Sequence, residues 1–248
     1  MTPIDKLTPV ELRDGIYFKR EDLFDCFGVY GAKARQAYLL ARNAKGGLVT
    51  GGSRISPQIK IVARIAKALG LPCYYFTLPG KETPEMASAR LDGAIHITQT
   101  NWKHDNVADY HAKKFATEHN LFLIPFGMVC WPMVKNVSQQ VANVPFNVKH
   151  IVIPVGSGTN LCGILWGLKN AGRTDVVVTG VRVGKNPKQT LARLAPKYPN
   201  FELVESPMDY HEKVKDTMFH GVALDPVYEA KCIPFVYKGD LLWVVGHR

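Results

Sequence analysis

The sequence has no apolar run near the ~20 residues that a membrane-spanning helix needs. Its first residues, Met1-Thr2-Pro3-Ile4-Asp5-Lys6, lack the apolar stretch of a secretory signal. A cytoplasmic location with no membrane partner is therefore expected. The five cysteines, Cys26, Cys73, Cys130, Cys162 and Cys232, are odd in number and far apart, with no Cys-x-x-Cys pair. That pattern argues against both a disulfide framework and a zinc site, so no metal is expected. No internal repeat, low-complexity stretch or Ser/Gly-rich linker breaks the chain. Acidic residues are in short supply, 21 Asp and Glu against 31 Lys and Arg, which leaves a formal net charge of +10. The basic excess is spread along the chain, so it implies a basic surface and not a disordered arm.

What the chain does have is 46% hydrophobic residues in 248, enough to bury roughly 70–75% of its unfolded surface. Short β-branched runs alternate with helical patterns. Leu48-Val49-Thr50 precedes Ile59 to Leu69, Cys73 to Phe76 precedes Pro84 to Leu91, Ala94 to Ile97 precedes Asn106 to His119, and Phe122-Leu123-Ile124 closes the set. A second set follows, with Ile151-Val152-Ile153, a helix from Leu161 to Asn170, Val176 to Val183, a helix from Pro187 to Ala195, and Leu241 to Val245. Such alternation predicts two α/β units, each built on a mostly parallel sheet covered by helices.

Two features carry chemistry. Lys33 lies in Gly31-Ala32-Lys33-Ala34-Arg35, just after the strand-like run Ile16 to Asp22, and Gly156-Ser157-Gly158-Thr159-Asn160 ends a later β-rich run and opens a helix. A lysine can hold an aldehyde as a Schiff base. A glycine-rich loop at a helix start can hold a phosphate through its N–H groups. Together they read as a pyridoxal phosphate site, with Ser157, Thr159 and Asn160 adding side-chain donors.

These motifs, in order, are IYFKRED, GAKAR, VTGG followed by SPQ, VGSGTNLCG and LDPVYEAK. The series resembles the fold type II pyridoxal enzymes, the tryptophan synthase β-like group. The branch it looks most like holds 1-aminocyclopropane-1-carboxylate deaminase and D-cysteine desulfhydrase. The resemblance implies two parallel-sheet α/β units with the cofactor between them. The smaller unit is expected at residues 45–139, inserted into a larger one made of 1–44 and 140–248, and a homodimer is expected. It also implies that Lys33 is the catalytic and cofactor-linking lysine, that Tyr228 faces the substrate and assists proton transfer, and that Ser56 and Gln58 serve cofactor and substrate. Pro57 stands where the branch has Asn, and it has neither an amide side chain nor a backbone N–H. The terminal LLWVVGHR resembles a strand whose hydroxyl meets the pyridine nitrogen, but that hydroxyl is absent here.

Lys60, Arg64 and Lys67 recur at helical spacing right after Ser56-Pro57-Gln58, a solvated stripe that can also rim a substrate entrance. Lys185, Lys188, Arg193 and Lys197 make a second basic group, and phosphates suit either. Charge, the altered turn at Pro57 and the compact chain together favour a lyase that decarboxylates an amino-acid group carried on a DNA base. The compactness resembles phage enzymes that hypermodify thymine, which would place the protein in a host cytoplasm. Two alternatives stand beside that expectation: a deaminase or desulfhydrase of a free small amino acid, and a non-catalytic pyridoxal- or nucleic-acid-binding module.

Overall fold

The computed structural model describes residues 3–184 and 186–246. Contacts divide the chain into two compact units, residues 1–4 with 25–128 and residues 5–24 with 129–248. Relative to the boundaries expected from sequence, residues 25–44 group with the smaller unit and residues 129–139 with the larger.

The chain enters the larger unit through a hairpin, β1 (Val10–Arg13) and β2 (Ile16–Arg20), paired antiparallel with Arg13 opposite Ile16. Its two-residue turn places Asp14 at φ 50° and Gly15 at φ 86°. Two successive positive φ values give the primed turn whose twist matches the strands, and Asp-Gly is the pair that tolerates it.

The smaller unit begins with a second hairpin, β3 (Asp25–Cys26) and β4 (Val29–Tyr30), again with two positive φ values, at Phe27 and Gly28. Helix α1 (Ala32–Ala41) follows at once. The rest alternates strictly: β5 (Leu48–Gly51), α2 (Pro57–Ala68), β6 (Cys73–Phe76), α3 (Pro84–Leu91), β7 (Ile95–Ile97), α4 (Asp105–Glu118) and β8 (Phe122–Ile124). Its four strands form a parallel sheet in the order β7-β6-β5-β8. All four residues of β5 are buried, as expected for a central strand covered on both faces.

The larger unit resumes with α5 (Trp131–Gln139), β9 (His150–Val155), α6 (Thr159–Asn170), β10 (Val177–Arg182), α7 (Lys188–Leu194), β11 (Phe201–Glu205), the short hairpin β12 (Met218–Phe219) and β13 (Val222–Ala223), and β14 (Leu241–Val244). Its six-stranded sheet runs β1-β2-β14-β9-β10-β11, with every pairing parallel except that of β1 with β2. One face packs Ile151, Ile153, Val155 and Trp243 against Leu161, Ile164, Leu165 and Leu168 of α6. The other packs Phe18, Val152, Leu242 and Val244 against the segment that carries Leu224, Ala230 and Cys232. Alternate residues of each strand thus face opposite cores. No helix of the described residues is long and apolar enough to cross a membrane.

Candidate active site

In the larger unit the C-terminal end of β9 runs into the glycine loop, and the loop into α6. Gly158 caps that helix at φ 87°, ψ −6°, a left-handed conformation that suits glycine. A Cβ there would lie 3.0 Å from that of Pro187. Gly156 is crowded for a different reason: a Cβ on it would lie 3.2 Å from Tyr228 Cε1 and 3.3 Å from its hydroxyl oxygen. The phenol expected at the site therefore rests directly on the loop expected to hold phosphate. Cys162 N donates to Gly158 O at 3.0 Å, closing the first turn of a 12-residue helix. Its start offers N–H groups and the positive end of the helix dipole to an anion.

Tyr228 is fixed by its own neighbourhood. The carboxylate of buried Asp225 accepts from Val227 N at 2.8 Å and from Tyr228 N at 3.0 Å through Oδ1. This is an Asx turn, which the Leu-Asp-Pro-Val sequence favours. From Glu229 to Phe235 the chain forms a 3-10 helix. Two residues missed by sequence reasoning complete the cluster. The Tyr210 ring stands edge-on to that of Tyr228, with centroids 6.4 Å apart, and reaches Gly184, which itself abuts Gly156. The ammonium of buried Lys231 donates to the carbonyls of Asp209 and Tyr210, tying that loop beneath the phenol.

The second missed feature is Glu229. It is fully buried, and its Oε1 accepts from Val245 N at 2.8 Å and Gly246 N at 3.3 Å, the residues that follow β14. Its Oε2 has no partner among the described residues. Burial first, then the neighbouring Asp225 charge, pushes the carboxyl up to about 8. A buried carboxylic acid with one unused oxygen, next in sequence to the phenol on the glycine loop, is a group that fits a ring nitrogen. The sequence signal was available, since Glu229 is an acid within Pro226-Val227-Tyr228-Glu229-Ala230-Lys231-Cys232-Ile233, a run too apolar to be a surface. The terminal strand resemblance falls partly on residues 247–248, outside the described residues.

The smaller unit holds the other expected residues. Gly31 precedes α1 at φ 94°, ψ 179°, a region open essentially only to glycine, and its carbonyl accepts from Ala34 N and Arg35 N. Lys33 is the second residue of that helix and is half-buried. Ser56 is the N-cap of α2: its hydroxyl accepts from Gln58 N at 3.3 Å, and Pro57 occupies the first turn, where the missing N–H costs nothing. Pro57 thus has a structural reason to be there.

Three of the residues expected to contact substrate have partners within the chain. The Gln58 amide donates to Thr50 Oγ1 at 2.8 Å and to Pro125 O at 3.0 Å, and accepts from Gly127 N at 3.1 Å. It joins β5 to the segment after β8. Arg64 and Lys67 are drawn to the buried carboxylate of Asp92, at 2.8 and 3.2 Å. The stripe expected to meet phosphates is, at two of its three positions, a clamp on one acid, and only Lys60 lies outside it. The second basic group keeps Lys188, Arg193 and Lys197 exposed, while Lys185 lies outside the described residues.

Thiol chemistry has little support: burial pushes Cys26, Cys73 and Cys162 up to about 12. Among the described residues no three His, Cys, Asp or Glu side chains group as a metal site would require.

The chain was compared with known proteins. The family profile for "Pyridoxal-phosphate dependent enzyme" matches residues 1–230. A 1-aminocyclopropane-1-carboxylate deaminase of Variovorax paradoxus is 29% identical across 93% of this chain and 83% of its own length. Among solved structures, an ACC deaminase homologue superposes with a TM-score of 0.76 at 20% identity, covering 97% of this chain and 89% of its own. A threonine deaminase isoform 2 from Solanum lycopersicum superposes with a TM-score of 0.68 at 16% identity, covering 96% and 83%. Both structures share the fold type II architecture.

Proposed function

Because this chain belongs to the pyridoxal-phosphate dependent enzymes, we propose that it deaminates a small free amino acid, releasing ammonia and a 2-oxo acid. The observation that carries the reading is the unbroken pair Tyr228-Glu229, which sets a phenol on the glycine loop and a buried carboxyl with a vacant oxygen on consecutive residues. The curated relative of Variovorax paradoxus, a deaminase by name, supports the same reading.

Bound pyridoxal phosphate supplies an electron sink for the pair released at the substrate α-carbon. The chain's own residues do the rest. Lys33 would hold the cofactor through its Nζ, and the same amine would take or return a proton at the substrate α-carbon. Gly156 to Asn160 and the start of α6 hold the phosphate. Glu229, through its unpartnered oxygen, would hold the ring nitrogen, and the Tyr228 hydroxyl would move a proton at the substrate's carbon skeleton. Ser56 lies at the N-terminus of α2, where a carboxylate would be favourably placed. Family membership supports the reading that Lys33 and the phosphate loop serve one cofactor.

Decarboxylation of an amino-acid group on a DNA base is the less supported reading, since none of the three proteins compared above is a decarboxylase by name. A product assay separates the readings. The cofactor-loaded protein is incubated with free 1-aminocyclopropane-1-carboxylate, D-cysteine, L-serine and L-threonine, and ammonia, sulfide, 2-oxo acids and CO₂ are measured. Ammonia in equal amount to a 2-oxo acid is expected from at least one of them. Loss of CO₂ alone, or turnover only of an amino-acid group carried on DNA, would overturn the proposal, and no turnover would favour a binding module.

A further inference from the structure

The helical layer made of α5, α6 and α7 in the larger unit is almost devoid of carboxylates. Between residues 119 and 201 the sequence has nine lysines and arginines and one acid, Asp175, which is paired with Lys149. Five of the nine, Lys135, Lys169, Lys188, Arg193 and Lys197, are exposed, and among the described residues none of the five forms an ion pair. An exposed indole lies close to three of them, Lys135, Lys169 and Arg193. Trp131 opens α5 at 49% exposure and stands edge-on to Trp166 of α6, centroids 5.4 Å apart. Trp166 is pinned by its Nε1 donating to Leu194 O at 2.9 Å, and the Lys169 ammonium sits 5.5 Å from its ring. Arg193 donates to Val129 O at 3.2 Å, which brings its charge to the start of α5. Lys135, four residues after Trp131, shares its helical face.

We propose that this face binds single-stranded nucleic acid, with phosphates along the cations and an unpaired base on Trp131. A one-signed cationic face alone fits any polyanion. A rigid, half-exposed indole set among the cations adds what a nucleic acid has and an inorganic polyanion lacks, a π-face to stack on it. A second copy of the chain is a poor occupant, since a two-fold contact would set this unpaired positive face against itself. On α2, by contrast, Arg64 and Lys67 share the carboxylate of Asp92.

The test measures binding of a 20-nucleotide oligothymidylate to the cofactor-loaded protein across a salt series. With about 0.7 of a unit of slope per phosphate contact on a single strand, five cations give a log–log slope as steep as about −3.5. Lys169→Ala with Arg193→Ala should reduce that slope by about 1.4. Trp131→Ala should weaken binding on the order of ten-fold while leaving the slope unchanged. Both variants should keep the wild-type cofactor spectrum, since none of these residues belongs to the candidate active site. The proposal is overturned if the wild type shows no salt-dependent binding, or if both variants bind as the wild type does. It is also overturned if polyphosphate binds equally well and Trp131→Ala is neutral, or if sedimentation shows that Trp131→Ala splits a dimer.

Discussion

Replacing Glu229 with glutamine should remove a pH dependence from the protein's stability. In the folded chain burial pushes this carboxyl up to about 8, whereas its ordinary value is 4.5. Between those two values the folded state keeps a proton that the unfolded state has already released. The folded state therefore binds more protons, and stability must fall as pH rises. The contribution is fully present below the unfolded value and is lost as pH climbs through the folded one. At 1.36 kcal/mol per unit, and with the folded carboxyl half deprotonated by pH 8, the interval from pH 6 to pH 8 is worth about 2 kcal/mol for this single group. The amide introduced by Glu229→Gln would keep an oxygen for Val245 N and Gly246 N, so the variant should fold, yet it cannot titrate. Urea unfolding of cofactor-free wild type and variant at pH 6, 7 and 8 measures the difference directly. The wild type should lose about 2 kcal/mol more than the variant across that range. Parallel curves for the two proteins would refute the reasoning, since the buried acid would then not be protonated in the fold.

Three further outcomes follow from the geometry. Tyr228→Phe should retain cofactor binding and lower turnover on the order of 10²–10⁴-fold, read by steady-state kinetics, because it removes only the hydroxyl that lies on Gly156. Gly31→Ala should cost about 1–3 kcal/mol, since alanine is forced into φ 94°, ψ 179° just before Lys33; thermal unfolding and cofactor titration should both shift. Gly163→Ala would put a Cβ 2.4 Å from that of Val137 and 3.0 Å from Val134 O. Parting α5 from α6 in that way should cost roughly 1–3 kcal/mol in a denaturant titration, with the cofactor spectrum preserved.

The parallel sheets were legible because their strands are short continuous apolar runs between helical patterns. The run Ile151-Val152-Ile153 lies within β9, and Cys73 to Phe76 became β6. Strand β1 (Val10–Arg13) went unread beside the strand-like run from Ile16 to Asp22, although Asp14-Gly15 marks the turn between them. Helix α5 went unread because Cys130-Trp131-Pro132 resembles a loop, whereas proline fits the first turn of a helix. The glycine loop and Tyr228 were visible as motifs, but the contact that makes them one cluster joins residues 156 and 228 and has no local signal. Glu229 was passed over for the same reason: its vacant oxygen exists only once β14 has delivered Val245 and Gly246 to the other one. The α2 stripe misled because Asp92, 28 residues from Arg64, follows no helical spacing from it.

The central claim, that Lys33 carries the cofactor of a pyridoxal-phosphate dependent enzyme, is tested most directly by borohydride reduction of the holoprotein followed by a peptide map. A single pyridoxyl mass increment is expected, on the peptide containing Lys33 and absent from Lys33→Ala. An increment on buried Lys231, which lies three residues from Tyr228, or on no peptide at all, would contradict the account.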